Sequence, residues 1–343
     1  MQIVSSSHHR RHATELHVPG CPLPYVELPA RAEAILAAVT SAQLGEVIEP
    51  QDFGLDPVRA VHSDEFIEYL KCAYESSRAF YEGQKPALGD TYSGRGWRNK
   101  PSGFPGRIGF FSFDTTCPIL EGTWLAAYWS AQCALTAAEL VRRGSRASYA
   151  LCRPPGHHAG HDLHGGFCYL NNAAIAARAL QQGAHRRVAL LDIDYHHGNG
   201  TQEIFYQDAT VLYCSIHADP NLDYPFFWGG RGERGEGPGE GYNHNWPLPL
   251  GTSEAAFLAA LEEAVVSITS FDPAYLVLSA GFDFMEGDPV PVGGGFRVGR
   301  KGLVASARRI ASLRLPTVIV QEGGYNVEKL GGYVAAFLQE FAS

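Results

Sequence analysis

Short runs of apolar and β-branched residues recur along the chain at 2–5, 148–152, 187–193, 210–216, 274–280 and 316–321, and each predicts a strand. Between them, 123–142, 172–183, 253–270 and 298–313 are Ala-rich and read as helices. Strands that alternate with helices are the pattern of a parallel sheet covered by helices, so the fold class expected is α/β. Two stretches interrupt the alternation. Residues 83–122 are rich in Gly, Pro and aromatics, and residues 221–249 contain GGRGERGEGPGEG. Loops of that length in a compact fold are usually functional or disordered. The second lacks a G-x-x-x-x-G-K-[ST] run and does not lead from a strand straight into a helix, which argues against a phosphate loop.

The densest polar clusters stand at or just after the ends of four predicted strands. They are RPPGHHAGH after 148–152, DIDYHHGNG at the end of 187–193, GFD after 274–280 and EGGYN after 316–321. In open α/β sheets the ligand site lies at the carboxyl ends of the strands, so these clusters are expected to converge on one crevice. A site drawing on residues from 157 to 325 favours one domain over the two that 343 residues permit.

Asp192, Asp194 and His196 fall two residues apart, so an extended backbone points them to one face. Two carboxylates and an imidazole on one apolar strand are costly unless a cation or protons compensate them. A metal supplies that compensation. Asp283, three residues beyond the strand at 274–280, is the best candidate for a further ligand, although an Asp after a strand is by itself more often a cap or turn residue. Two Asp and one His leave coordination positions open, as a catalytic metal requires. Such ligands suit Zn, Mn or Fe(II) alike.

His157 and His158 follow Arg153-Pro154-Pro155-Gly156, a turn stiffened by its prolines. Histidine titrates near neutrality, and acyl transfer to water needs a base for the water and an acid for the leaving amine. Asp192, where it is not a ligand, can hydrogen-bond one imidazole and Asn199 the other. Tyr325 follows Gly323-Gly324 and can bring its hydroxyl over the metal as an oxyanion donor. The plainer alternative is a Tyr that closes a turn.

RPPGHHA, GGFCYLNNAAIAA, LLDIDYHHGNGTQ, SAGFD and EGGYN, in this order, resemble the signature set of the acetylpolyamine amidohydrolase and histone deacetylase superfamily, from Ile3 to the C-terminal helix. The resemblance implies an arginase-deacetylase fold, with an eight-stranded, mostly parallel sheet and helices on both faces, in a single deacetylase domain over 1–343. It implies one zinc ion held by Asp194, His196 and Asp283. His158 is then the general base and acid, His157 its electrostatic partner backed by Asp192, and Tyr325 the carbonyl-polarising group. By the same resemblance the Gly166 backbone oxygen accepts the substrate amide N–H, and Phe167 and Tyr224 wall the acyl tunnel. Potassium is implied at two structural sites, one at Asp192, Asp194, His196, Ser215 and Ile216, the other at Phe205, Asp208 and Val211.

The insert at 83–122 looks like the bacterial acetylpolyamine branch, where such a loop mediates dimerisation and narrows the entrance. A homodimer is therefore expected, with Tyr92, Trp97, Phe104, Phe110 and Phe111 at its interface. Where that branch can carry acidic residues in the insert, this chain has Pro105 and Thr116, which leaves Asp114 and Glu15 as candidates to meet a distant ammonium. Val290 departs from the glutamate of polyamine-selective eukaryotic relatives.

A net charge of −9 gives no reason to expect nucleic acid and suits a cationic substrate. No apolar run reaches the ~18 residues of a membrane span, and the first residues lack the hydrophobic stretch of a secretory signal, so a cytoplasmic protein is expected. Seven cysteines without a C-x-x-C pair predict buried reduced thiols. The function expected is zinc-dependent hydrolysis of small N-acetylated amines, foremost acetylpolyamines, with acetyl-lysine deacetylation as the alternative. A dinuclear manganese ureohydrolase and a non-catalytic acetyl-amine binder are the remaining readings.

Overall fold

The structure is a computed structural model that describes residues 1–13, 25–83, 85–94, 99–183 and 186–342. Its strands are β1 (Gln2–Val4), β2 (Glu46–Ile48), β3 (Ala147–Ala150), β4 (Val188–Asp192), β5 (Val211–Ala218), β6 (Asn243–Leu248), β7 (Tyr275–Ala280) and β8 (Thr317–Gln321). They form one sheet in the order β2-β1-β3-β8-β7-β4-β5-β6. Every pairing is parallel, so the sheet expected to be mostly parallel is wholly so.

The helices are α1 (Pro29–Ser41), α2 (Asp56–Arg59), α3 (Asp64–Phe80), α4 (Phe104–Phe111), α5 (Thr123–Arg142), α6 (Asn172–Gln181), α7 (Asn199–Phe205), α8 (Glu254–Phe271), α9 (Arg300–Ala311) and α10 (Val327–Ala342). Side-chain caps fix several starts. Ser63, Asn171 and Ser253 accept from backbone N–H groups three residues on, at the heads of α3, α6 and α8.

Alternation along the strands divides the core in two. Ala189 and Leu191 of β4 pack on one face with α1, α8, α9 and α10, while Val188 and Leu190 pack on the other with α3, α4, α5 and α6. Both faces are covered, which is why these strands read as unbroken apolar runs.

The six strands and four helices predicted from the pattern are present, with ends shifted by a residue or two. Both edge strands escape the pattern. β2 is three residues long and largely exposed. β6 lies inside the stretch expected to be loop; its Asn243 and Asn245 donate to Gln202 Oε1 at 2.9 and 2.7 Å, and Pro247 is tolerable only on an edge. The other expected loop is also partly built, since 83–122 contains α4 and an antiparallel bridge between Ala87 and Ile119.

Among the described cysteines, Cys117, Cys133, Cys152, Cys168 and Cys214 are buried and unpaired, whereas Cys72 is exposed; Cys21 lies outside the described residues. Among the described residues no helix is long and apolar enough to cross a membrane.

Candidate active site

The four polar clusters follow β3, β4, β7 and β8, which lie side by side at the centre of the sheet, and they do meet. His157 Nδ1 lies 3.1 Å from Asp192 Oδ2, His196 Nδ1 3.0 Å from Asp283 Oδ2, and Gly323 N donates to Asp194 Oδ2 at 2.8 Å. The approach is tight enough to demand glycine. A Cβ at Gly281 would stand 1.8 Å from Asp194 Oδ2, and one at Gly323 would stand 2.5 Å from Asp283 Oδ2.

The extended geometry expected for Asp192, Asp194 and His196 does not persist, because β4 ends at Asp192 and the chain then bends. Asp194 N donates back to Asp192 Oδ1 at 3.1 Å, and His196 N to Asp194 Oδ1 at 2.9 Å. The bend separates the three into two tasks. Asp192 turns to His157, while Asp194 and His196 join Asp283, the ligand atoms of this trio lying within 4.8 Å of one another and all buried.

A second possible ligand group among the described residues, His157, Cys168 and Glu322, has its imidazole and carboxylate already engaged. Glu322 accepts from Gly156 N at 2.7 Å, His157 N at 3.2 Å and Ser279 Oγ at 3.1 Å.

The chemistry of the Asp194, His196 and Asp283 set fits a divalent cation. Burial first, and then the charge of Asp194, push the Asp283 carboxyl up to about 7, so the pair resists full ionisation. A cation between them would remove that repulsion.

The paired histidines are pushed in opposite directions. Burial works against a charge on His157, but Asp194 and Asp192 outweigh it and hold its pKa up at about 10. For His158 burial acts together with the neighbouring His157 and His196 to push the pKa well below the ordinary value. His158 Nδ1 lies 2.7 Å from Asn199 Oδ1, an oxygen that can only accept; the proton therefore sits on Nδ1 and leaves Nε2 bare.

Tyr325 is buried, and Asp288 Oδ2 accepts its backbone N–H at 2.7 Å. Arg31 places its guanidinium 4.5 Å from the Tyr325 ring centroid and donates to the Gly324 and Glu322 carbonyls at 2.6 and 2.7 Å.

The remaining predicted residues are distributed as follows. Phe167 stacks obliquely on Tyr325 with ring centroids 5.6 Å apart, and Tyr224 stands edge-on to His158 at 5.0 Å. Gly166 precedes Phe167, both at positive φ (57° and 67°). Asp114 reaches the site but with its carboxylate occupied, since it accepts from Gly166 N, the Tyr224 hydroxyl, Thr116 N and Thr116 Oγ1. Ser215 is the register partner of Asp192. Phe205, Asp208 and Val211 form the turn from α7 to β5, where Asp208 N donates to the Phe205 carbonyl at 3.0 Å. Glu15 and Trp97 lie outside the described residues. Phe111, expected at an interface, is buried against Tyr69 at 4.7 Å in this chain's own core.

The histone deacetylase domain family matches residues 25–341, nearly the whole chain. The chain belongs to this family. Acetylpolyamine amidohydrolase 1 of Pseudomonas aeruginosa is 48% identical over 99% of both chains, and acetylpolyamine amidohydrolase of Mycoplana ramosa is 38% identical over 99% of both. The crystal structure of acetylpolyamine aminohydrolase from Burkholderia pseudomallei superposes with a TM-score of 0.94 at 43% identity, covering 100% of this chain and 99% of that one. The fold is thus the arginase-deacetylase fold that the motifs implied.

Four residues around the family's site carried no prediction. Glu322 stands inside the EGGYN cluster and Asp288 five residues past Asp283, so their neighbourhoods were marked. Tyr213, whose hydroxyl lies 3.1 Å from Asp192 Oδ2, and Arg31 on α1 had no local signal.

Proposed function

We propose that this chain hydrolyses the acetyl amide of small N-acetylated amines, preferring acetylated diamines or polyamines, with one zinc ion held by Asp194, His196 and Asp283. The observation that carries the reading is geometric: the adjacent histidines, His157 turned to Asp192 and His158 to Asn199, stand beside the buried set Asp194, His196 and Asp283. A bound zinc supplies Lewis acidity towards the acetyl carbonyl.

The chain's own residues do the rest. His158, neutral with Nε2 bare, takes a proton from the attacking water and returns it to the leaving amine. His157, charged and paired with Asp192, stabilises negative charge as it develops nearby. Tyr325 donates its hydroxyl to the carbonyl oxygen as the carbon becomes tetrahedral. The Gly166 carbonyl accepts the amide N–H, and Phe167 and Tyr224 flank the methylenes.

Potassium at the two implied sites would be structural. The juxtaposition of Asp192 with Ser215 and the tight turn at Phe205, Asp208 and Val211 are compatible with it.

The substrate preference rests on the relatives' shared activity, on the net charge of −9 and on the mouth of the site. A cavity of about 730 Å³ outside Tyr224 is lined by Tyr92, Phe113, Phe226, Phe227 and Trp228 among others, a surface suited to a thin aliphatic chain. Acetylputrescine and acetylcadaverine are expected to give higher kcat/KM than an acetyl-lysine peptide. A peptide preferred by more than about tenfold, or ~1.4 kcal/mol of transition-state binding, would overturn the assignment.

A homodimer through the region of the insert completes the proposal. Phe80 and Tyr81, 56% and 40% exposed, adjoin Phe104 of α4 at 5.6 and 6.2 Å and form an aromatic corner for such a contact. Sedimentation at micromolar concentration is expected to give a dimer; a fully active monomer would remove this part.

A further inference from the structure

Asp114 is one of the two acidic residues expected to meet a remote ammonium, yet its bonds point to different work. Oδ1 accepts from Thr116 N and Thr116 Oγ1, both at 2.9 Å. Oδ2 accepts from Gly166 N at 2.8 Å and from the Tyr224 hydroxyl at 2.6 Å. Four donors saturate the carboxylate, and a substrate ammonium would have to displace one of them.

Two of those donors belong to the walls of the site. Gly165 and Cys168 exchange backbone bonds (2.9 and 3.3 Å) across a tight turn whose central residues, Gly166 and Phe167, both have positive φ, as a type I′ hairpin turn requires. Phe167 in that conformation is strained and needs external support. Phe113 N donates to the His164 carbonyl at 3.1 Å, so the strand of chain leading to Asp114 already runs along the turn, and the bond to Gly166 N pins its tip.

Tyr224 shares the same oxygen from the opposite wall, with its ring edge-on to His158. The fit has no slack. A Cβ added to Gly166 would meet His158 Cδ2 at 2.3 Å and the Tyr224 hydroxyl at 2.8 Å.

We infer that Asp114 is a positioning residue: one carboxylate oxygen ties the Gly166 turn to Tyr224 and thereby fixes where the Gly166 carbonyl meets the scissile amide N–H. This rests on the proposed deacetylase reading, in which that carbonyl accepts the amide proton. It also explains why the tunnel wall at 224 carries a hydroxyl: phenylalanine would fill the same space and leave the two walls untied.

The test compares Asp114→Asn and Tyr224→Phe with the wild type on three probes: N-acetylcadaverine, N-acetylpentylamine and pentyl acetate. The first two share the acetyl amide and a five-carbon chain and differ in the terminal ammonium, which the second lacks. The third has no N–H for Gly166 to accept. In Asp114→Asn the amide nitrogen faces donors, so kcat/KM is expected to fall at least tenfold on both amides, to a similar degree whatever the tail charge. Pentyl acetate should lose less than about threefold, read as its Ki against the amides where its turnover is too slow. Tyr224→Phe should show the same pattern with a smaller loss.

A loss confined to N-acetylcadaverine would make Asp114 the counter-charge and overturn the inference. Equal losses on all three probes would reduce it to general support of the fold, and unchanged kinetics would remove it. A wild-type enzyme that cleaves neither amide would defeat the functional reading instead.

Discussion

Asp283→Ala is expected to abolish metal binding and turnover together while leaving a folded chain. Asp283 is buried, with Oδ1 accepting Tyr195 N at 3.1 Å and Oδ2 3.0 Å from His196 Nδ1. Removing it leaves Asp194 and His196, too few to retain a divalent ion against dissociation, since a catalytic site of this kind is built on three protein ligands.

The fold tolerates the change because two effects oppose one another. The orphaned Tyr195 N–H costs about 1–3 kcal/mol. Against that, a buried carboxyl that burial and Asp194 push up to about 7 is no longer held between two acidic neighbours and the protein interior. Elemental analysis is expected to read one zinc per wild-type chain and none in the variant, with circular dichroism unchanged. Two tightly bound metals per active chain would favour the dinuclear ureohydrolase reading, and full activity after exhaustive chelation would dismiss a catalytic metal altogether.

The place of the site was legible because apolar runs gave way abruptly to Asp, His and Gly at the ends of four strands, and a parallel sheet puts all such ends on one side. How the side chains divide the work was not. Asp192, Asp194 and His196 keep a two-residue spacing on paper, but the bend after Asp192 that parts them is made by backbone-to-carboxylate bonds within the cluster itself.

Asp114 shows a second limit. It is read as a free acid because two of its four donors, Gly166 N and the Tyr224 hydroxyl, are 52 and 110 residues away, and only the fold reveals that they occupy its second oxygen. Glu322 is hidden in a similar way, since it becomes a buried acceptor only when Gly156 and His157 fold over it. α3 was more accessible: its buried Phe66, Ile67, Leu70, Ala73 and Ser77 recur at helical spacing, but the stretch lay outside the strand-helix alternation that guided the reading. α7 was not, because its residues are buried by polar contacts rather than by an apolar stripe.

His158→Ala is expected to lower turnover by about 10²–10⁴ with zinc content unchanged, the range for losing a positioned proton-transfer group. His158 is not among the clustered ligand atoms, so its removal leaves the metal set whole. Burial pushes its pKa down and its Nδ1–H is committed to Asn199, while His157 is turned to Asp192 and is not placed to replace it. Tyr325→Phe provides the control for the other half of the reaction. It removes only the hydroxyl, keeps the ring on which Arg31 rests and the backbone bond to Asp288, and should cost about 10²–10³ in kcat. Because both variants keep the ligands, a large fall in kcat with KM little changed and circular dichroism unaltered reads on chemistry rather than on folding. Near-normal turnover in either one would contradict its role, and a loss of zinc in the His158 variant would move that residue from proton transfer to holding the metal.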